Sequence, residues 1–251
     1  FPFSSGCLHA SWAIIGARAP DAAGNAPVRY MLVPMSEIEI VDDWHVLGLR
    51  GTASRSLRIR DAFVPEYRTV LFDDLMAGTV PGAAIHPDFP LLRAPRGYLV
   101  PFSLPTVAFS LGLRALGMVP DAIRGRMSRG TRDLGASEVV QLTLGKAAAA
   151  IENADLIFRV RREESVARAD AGLAVDPAHI VRNRRDVAHA TELLTQGLRD
   201  LMEIRGSSAV YDRDPLQTVL RDATTIATHS VVHPHLSMIP YGRMLLGIAD
   251  A

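Results

Sequence analysis

The stretch from Asp176 to Gly206 most tightly constrains what this chain folds into. Asp176-Pro177 pairs a helix-capping side chain with a proline suited to the first helical turn. Ile180, Val187, Ala190, Leu194, Leu198 and Leu201 then form one apolar stripe along about six turns. Gly206 falls where a helix-ending glycine belongs. A helix of that length must bury its stripe against other helices. Asp214-Pro215 repeats the cap and proline for a following helix. Upstream, Ser137-Glu138 opens a helix in which Val140, Leu144, Ala147, Ile151, Ala154 and Ile157 keep helical spacing. Residues 98–118 carry Arg114 as their only charge, which predicts a helix buried on most sides. Pro234 and Pro240 interrupt the last segment. Long helices joined by short turns predict an up-and-down bundle.

The first quarter of the chain reads as β. Residues 9–18 and 28–34 are short apolar runs flanking a Pro-Asp-Ala-Ala-Gly-Asn turn at 20–25. In residues 55–60, Leu57 and Ile59 alternate with Arg58 and Arg60, the period of a strand with one wet face. Pro65, Pro81, Pro87, Pro90 and Pro95 make residues 65–96 read as a linker or wrapped loop without regular structure. The expected class is therefore α+β, a partial antiparallel β-domain followed by a helical bundle. The boundaries are 1–75 for the β-domain, 76–96 for the linker and 97–251 for the bundle.

Composition narrows the function classes. Lys plus Arg equals 27 and Asp plus Glu equals 27, so no net positive charge favours a nucleic-acid partner. The single cysteine, Cys7, forms no intrachain disulfide and builds no cysteine zinc site, which points to a cytoplasmic compartment. No apolar run reaches the roughly 18 residues of a membrane-spanning helix, so no membrane partner is expected. GxGxxG, Walker A, HExxH and G-x-S-x-G signatures are all missing.

Candidate chemistry remains in three places. His229 and His233 stand four residues apart, with His235 close by, but no Asp or Glu lies between 223 and 248 to complete a metal site. They read as helix-end histidines or as one catalytic or substrate-binding imidazole. The arginine-rich runs 159–162 and 182–185 are interleaved with acids and read as solvated helix faces, with a phosphate contact as the alternative. Ser4-Ser5-Gly6 reads either as a strand-end turn or as short donors at a sheet edge, able to approach a planar heterocycle closely.

Three motifs in order carry a resemblance. The first is Phe3-Ser4-Ser5-Gly6 with His9 and Trp12. The second is Asp43-Trp44-His45-Val46-Leu47-Gly48-Leu49-Arg50-Gly51-Thr52, then Asp61-Ala62-Phe63-Val64-Pro65-Glu66. The third runs from Leu216 to Ala223, then His229, Tyr241-Gly242-Arg243 and Leu246-Gly247. Together they resemble the flavin-dependent monooxygenase branch of the acyl-CoA dehydrogenase superfamily, the branch of the p-hydroxyphenylacetate hydroxylase oxygenase components. The chain starts without Met, and the superfamily carries a helical domain and strands ahead of the position of Phe1. The resemblance therefore implies a truncated sequence matching the last two-thirds of such an enzyme.

The superfamily holds two chemistries. Acyl-CoA dehydrogenases need a carboxylate base, and neither 93–120 nor 223–248 contains Asp or Glu. The resemblance thus implies the oxygenase component of a two-component monooxygenase. Reduced flavin (FADH2 or FMNH2) from a separate reductase and molecular oxygen would form a flavin C4a-hydroperoxide that hydroxylates a small aromatic or heteroatom substrate. The implied flavin site lies between the β-domain and the helical domain. Ser4, with Ser5 as second choice and Gly6 beside them, would meet flavin N5. His229 would act as base or donor toward substrate or oxygen. Arg129, Arg132, Ser207 and Ser208 would reach the flavin of a neighbouring subunit in a homo-oligomer, a tetramer built through the helical domain. The alternatives are an acyl-CoA dehydrogenase-type flavoprotein and a non-catalytic helical oligomerisation fragment.

Overall fold

The computed structural model describes residues 1–21, 23–128 and 132–248. The chain divides into two units, one of Phe1–Tyr98 with Arg168–Val175, the other of Leu99–Ala167 with Asp176–Ala251. The first is mainly β and the second helical, the α+β class expected.

In the first unit, β1 (Trp12–Arg18) pairs antiparallel with β2 (Val28–Pro34), and β2 pairs antiparallel with β5 (Thr69–Leu71). The turn between β1 and β2 is closed by Asp21, whose carboxylate accepts the Ala23 and Asn25 amides at 2.9 and 2.8 Å. A second ladder joins β3 (Ile38–Val41) to β4 (Ser56–Ile59). Its register sets Glu39 opposite Arg58, and the two form an ion pair at 2.7 Å on the wet face. The dry faces meet in a core of Cys7, Ile15, Val33 and Leu57, flanked by Met31, Ile38, Ile40 and Ile59. Alternation is visible within β1, where Ile15 is buried while Ile14 faces out.

Two features of this unit differ from the sequence reading. Ile38–Val41 forms a strand, although four residues, three half-buried and Glu39 exposed, leave too short a pattern to recognise. The proline-rich stretch 65–96 is not irregular throughout. It holds β5 and two short helices, α1 (Phe72–Ala77) and α2 (Gly82–Ile85). Pro81 precedes α2 as its cap residue, so the prolines punctuate helices here rather than exclude them.

The helical unit takes in the end of α3 (Arg96–Ser103) and then α4 (Pro105–Ile123), α5 (Glu138–Asp170), α6 (Pro177–Arg205), α7 (Pro215–Ala227) and α8 (Pro234–Leu245). Asp176 and Asp214 cap α6 and α7, accepting the Ala178 and Leu216 amides, each at 3.0 Å. α6 is the central element, packed on α4, α7 and α8. It buries Val187, Ala190, Leu194, Leu198 and Leu201 of the expected stripe, while Ile180 stays partly exposed. Two glycines let helices approach closely. A Cβ on Gly112 of α4 would lie 2.2 Å from Leu194 Cδ1, and one on Gly197 of α6 would lie 2.7 Å from Ile151 Cγ1 on α5. Phe109 of α4 stacks on Phe158 of α5 with ring centroids 4.3 Å apart.

The nearly uncharged stretch 98–118 is two helices rather than one, because Pro105 restarts the chain after Ser103. By length and composition Arg96–Ile123 would suffice to cross a membrane. It does not bury most sides as expected. Ala108, Phe109, Ala115, Val119 and Ile123 are buried along one face, and Val107 and Leu113 are exposed on the other.

The arginine-rich runs meet each other between α5 and α6. Arg161 bonds Asp186 at 2.6 Å and Glu164 at 2.7 Å, Arg182 shares Glu164, and Arg185 bonds Asp186. Burial disfavours the Arg161 charge, but the hydrogen bonds it donates to Glu164 and Asp186 outweigh this and raise its pKa. These arginines are internal ties, not a fully solvated face. Beneath them Ser165, His179 and Asn183 form a buried hydrogen-bonded triad, with Asn183 Nδ2 2.7 Å from Ser165 Oγ.

Candidate active site

The Ser4-Ser5-Gly6 segment is held edge-on against residues 52–55. The Ser4 amide donates to Arg55 O at 3.1 Å and the Gly6 amide to Thr52 O at 3.0 Å. Cys7 anchors the end, donating its thiol to Ala53 O at 3.4 Å. Gly6 has φ +75°, which a glycine adopts without a Cβ penalty, and a Cβ there would meet nothing within 4 Å. This edge borders a cavity of about 480 Å³ lined by Ser4, Ser5, Trp12, Ile15, Met35 and Leu57.

The two serines differ. Ser4 Oγ donates to Phe1 O at 3.3 Å. Ser5 Oγ lies 2.6 Å from Ser54 Oγ, which lies 2.6 Å from Thr52 Oγ1, and Thr52 Oγ1 donates to Leu49 O at 2.8 Å. Trp44 Nε1 donates to the same Leu49 carbonyl at 3.1 Å. The turn that carries this row is strained, with Leu49 at φ +56° and Ala53 at φ +44°. Asp43 ties it to β4. The Ser56 hydroxyl and the Ser56 amide, at 2.9 Å, both donate to its carboxylate and hold its pKa below the ordinary 3.8.

The helical unit places the other candidates separately. α7 ends at Ala227, so His229 lies in the following turn, exposed, and its Nδ1 accepts the Val231 amide at 3.2 Å. His233 is the cap residue of α8. The four-residue spacing of His229 and His233 therefore does not set them on one helix face. The helix ends before the first of them, and Pro234 starts a new one. Among the described residues no three His, Cys, Asp or Glu side chains gather as metal ligands.

Ser207 and Ser208 stand in a 3-10 turn directly after α6. Ser208 Oγ receives Arg205 Nη1 at 2.6 Å and is occupied by it, while Ser207 borders a cavity of about 470 Å³ with Arg126, Thr143 and Arg205. α7, 13 residues and about 20 Å long, runs between this turn and His229 in the chain. Arg132 lies in β7 (Arg132–Asp133), paired through its backbone with Ser128 of β6 (Met127–Ser128), and Arg129 lies outside the described residues. Sequence reasoning missed Thr52 and Ser54. The available signal was a pair of hydroxyls at the end of the Arg50-Gly51-Thr52 motif.

The residues around the first cavity fit a flavin. They offer short hydroxyls and apolar walls, a match for the polar edge of a flat heterocycle, and Gly6, next to Ser5, has open space where a Cβ would stand.

Comparison with known proteins gives a consistent answer. Residues 106–234, just over half the chain, match the family described as acyl-CoA dehydrogenase, C-terminal domain. The chain is 29% identical to the FADH(2)-dependent resorcinol hydroxylase, oxygenase component, of Rhizobium sp. (strain MTP-10005), over 98% of this chain and 63% of that protein. It is 30% identical to the flavin-dependent monooxygenase, oxygenase subunit HsaA, of Mycobacterium tuberculosis, with the same coverage. Among solved structures it is similar to XiaF from Streptomyces sp. in complex with FADH2 and glycerol. That match has a TM-score of 0.88 at 28% identity over 99% of this chain and 63% of the other. The 3-HSA hydroxylase of Rhodococcus sp. RHA1 matches with a TM-score of 0.87 at 26% identity, over 100% of this chain and 64% of the other. The chain thus spans about 63% of the length of the curated relatives it matches. On the family match and the fold together, the chain belongs to the acyl-CoA dehydrogenase family.

Proposed function

We propose that this chain is part of the oxygenase component of a two-component flavin-dependent monooxygenase. It would hydroxylate a small aromatic or heteroatom substrate with molecular oxygen and with FADH2 or FMNH2 delivered by a separate reductase. The observation that carries this reading is similarity along essentially the whole chain to proteins named as oxygenase components, together with similarity to XiaF, whose structure holds FADH2. Bound reduced flavin supplies the electrons that activate oxygen. The chain's own contribution starts at the sheet edge. Ser4 and Ser5 present hydroxyls to the flavin ring edge, Gly6 admits its close approach, and Trp12, Ile15 and Met35 keep water from it.

His229 acts on the substrate side. Because Nδ1 accepts the Val231 amide, the neutral imidazole carries its proton on Nε2. That tautomer favours the donor role over the base role. Ser207, with Arg129 or Arg132, contacts the flavin of a neighbouring subunit in a homotetramer, while Ser208, held by Arg205, is the weaker candidate for that contact. Exposed apolar side chains on the helical unit support the assembly, among them Val139, Leu142 and Leu156 on α5 and Leu236 and Ile239 on α8. The lone cysteine fits a cytoplasmic location.

The test supplies full-length protein with reduced flavin, isotopically labelled oxygen and a panel of phenols. Transfer of one labelled oxygen atom to a product supports the reading. Flavin reduction by an acyl-CoA, with no oxygen transfer to any substrate, refutes it in favour of the family's dehydrogenase chemistry.

A further inference from the structure

The row of hydroxyls behind Ser5 has a direction. Each Ser or Thr hydroxyl has one proton to donate and two lone pairs to accept with. Thr52 spends its proton on the carbonyl of Leu49, which can only accept. Thr52 must therefore accept from Ser54, 2.6 Å away. Ser54 has then spent its own proton and must accept from Ser5, also 2.6 Å away. All three protons point inward, Ser5 to Ser54 to Thr52 to Leu49. Ser54 is only 5% exposed, so water does not readily reverse the row. The left-handed residues Leu49 and Ala53 and the Trp44 indole on the same carbonyl hold its closed end in place. Ser5 itself is exposed at the cavity and turns only lone pairs toward it.

An acceptor at that point distinguishes two states of a flavin. Reduced flavin carries a hydrogen on N5 and donates there, whereas oxidised flavin carries a lone pair on N5 and accepts. Donor against acceptor makes a hydrogen bond, and acceptor against acceptor repels.

We propose that Ser54 and Thr52 are positioning residues that lock the Ser5 hydroxyl as a hydrogen-bond acceptor, and so make the site select reduced over oxidised flavin. This rests on the flavin reading above. It assigns Ser5, rather than Ser4, to the N5 position, because only Ser5 has a polarised row behind it. Ser4 sends its proton to Phe1 O, near the start of the same segment, through a longer bond of 3.3 Å.

The test is a pair of equilibrium titrations on full-length protein, with FADH2 under anaerobic conditions and with FAD, read as the ratio of the two dissociation constants. The parent binds FADH2 more tightly. Ser54→Ala frees the Ser5 proton to turn outward and donate to oxidised N5. The ratio then falls about tenfold, the scale of one hydrogen bond gained by one form and lost by the other. Thr52→Val shifts the ratio the same way, since Ser54 loses its inward acceptor and can turn to Ser5. Ser54→Thr keeps a hydroxyl in place and restores the parental ratio. A Ser54→Ala or Thr52→Val protein that weakens both forms equally, or changes neither, overturns the proposal and leaves the monooxygenase reading standing. A parent that binds neither form overturns both.

Discussion

Gly197→Ala sets two effects of opposite sign against each other, and the helix packing decides between them. Replacing a glycine within a helix by alanine stabilises that helix by about 1 kcal/mol. At Gly197 the new methyl would stand 2.7 Å from Ile151 Cγ1 and 3.0 Å from the Ala147 carbonyl oxygen on α5. The oxygen belongs to a helical backbone and yields little. Ile151 is fully buried, and its Cγ2 methyl is held near Gly112, so it cannot swing clear. Overpacking of this kind costs about 1–3 kcal/mol, and a clash on a buried β-branched side chain plus a backbone oxygen belongs at the upper end. The net expectation is a loss of about 1–2 kcal/mol, or roughly 3–8 °C in melting temperature for a unit of this size. Gly145→Ala on α5 is the internal control, because a Cβ there meets nothing within 4 Å and only the propensity gain operates. Thermal unfolding followed by far-ultraviolet circular dichroism should move down for Gly197→Ala and up for Gly145→Ala. An upward shift for both would refute the claim that close approach of α5 and α6 requires a glycine.

Two caps should differ in weight. Asp176→Ala removes one exposed capping bond and should cost about 1 kcal/mol. Asp214→Ala removes a buried cap and also strips Arg205 of its carboxylate at 2.9 Å, for a loss of about 3 kcal/mol, measured by chemical denaturation. Asp43 sets an acid limit on the turn that carries Thr52 and Ser54. Its folded pKa is depressed, so its contribution is present above the unfolded value of 3.8 and is lost as pH falls through the lower folded value. Asp43→Asn should therefore flatten the dependence of stability on pH below about 4, lowering stability at neutral pH and leaving it little changed in acid. His229→Ala should lower oxygen transfer to substrate by about a hundredfold with flavin affinity intact, measured as product formed per flavin oxidised; unchanged turnover would remove His229 from the chemistry.

Local signals were readable wherever the decisive interaction spans a few residues. Asp176-Pro177 and Gly206 mark both ends of α6, Ser137-Glu138 marks the start of α5, and Val28–Pro34 is β2 from end to end. Signals failed where a short pattern had competitors. Ile38–Val41 is too brief to show a period, and Pro105 was absorbed into an apolar run that it divides in two. His229 and His233 look like a helical pair only while the end of α7 at Ala227 is unknown.

The site divides along the same line. Ser4-Ser5-Gly6 stood out as short, polar and permissive, and composition alone could say no more. Its meaning depends on Ser54, 49 residues away, and on the Leu49 carbonyl that closes the row. The sequence by itself determined the long helices α5 and α6, the caps of α6 and α7 and the two-part order of the chain, because capping and amphipathic spacing act within a turn or two of backbone. Only the tertiary structure decided that Gly112 and Gly197 are contact points and that Ser5 faces its cavity as an acceptor. Interhelical distance and hydroxyl direction are set by groups far apart in the chain, brought within a few ångströms as each unit folds by itself.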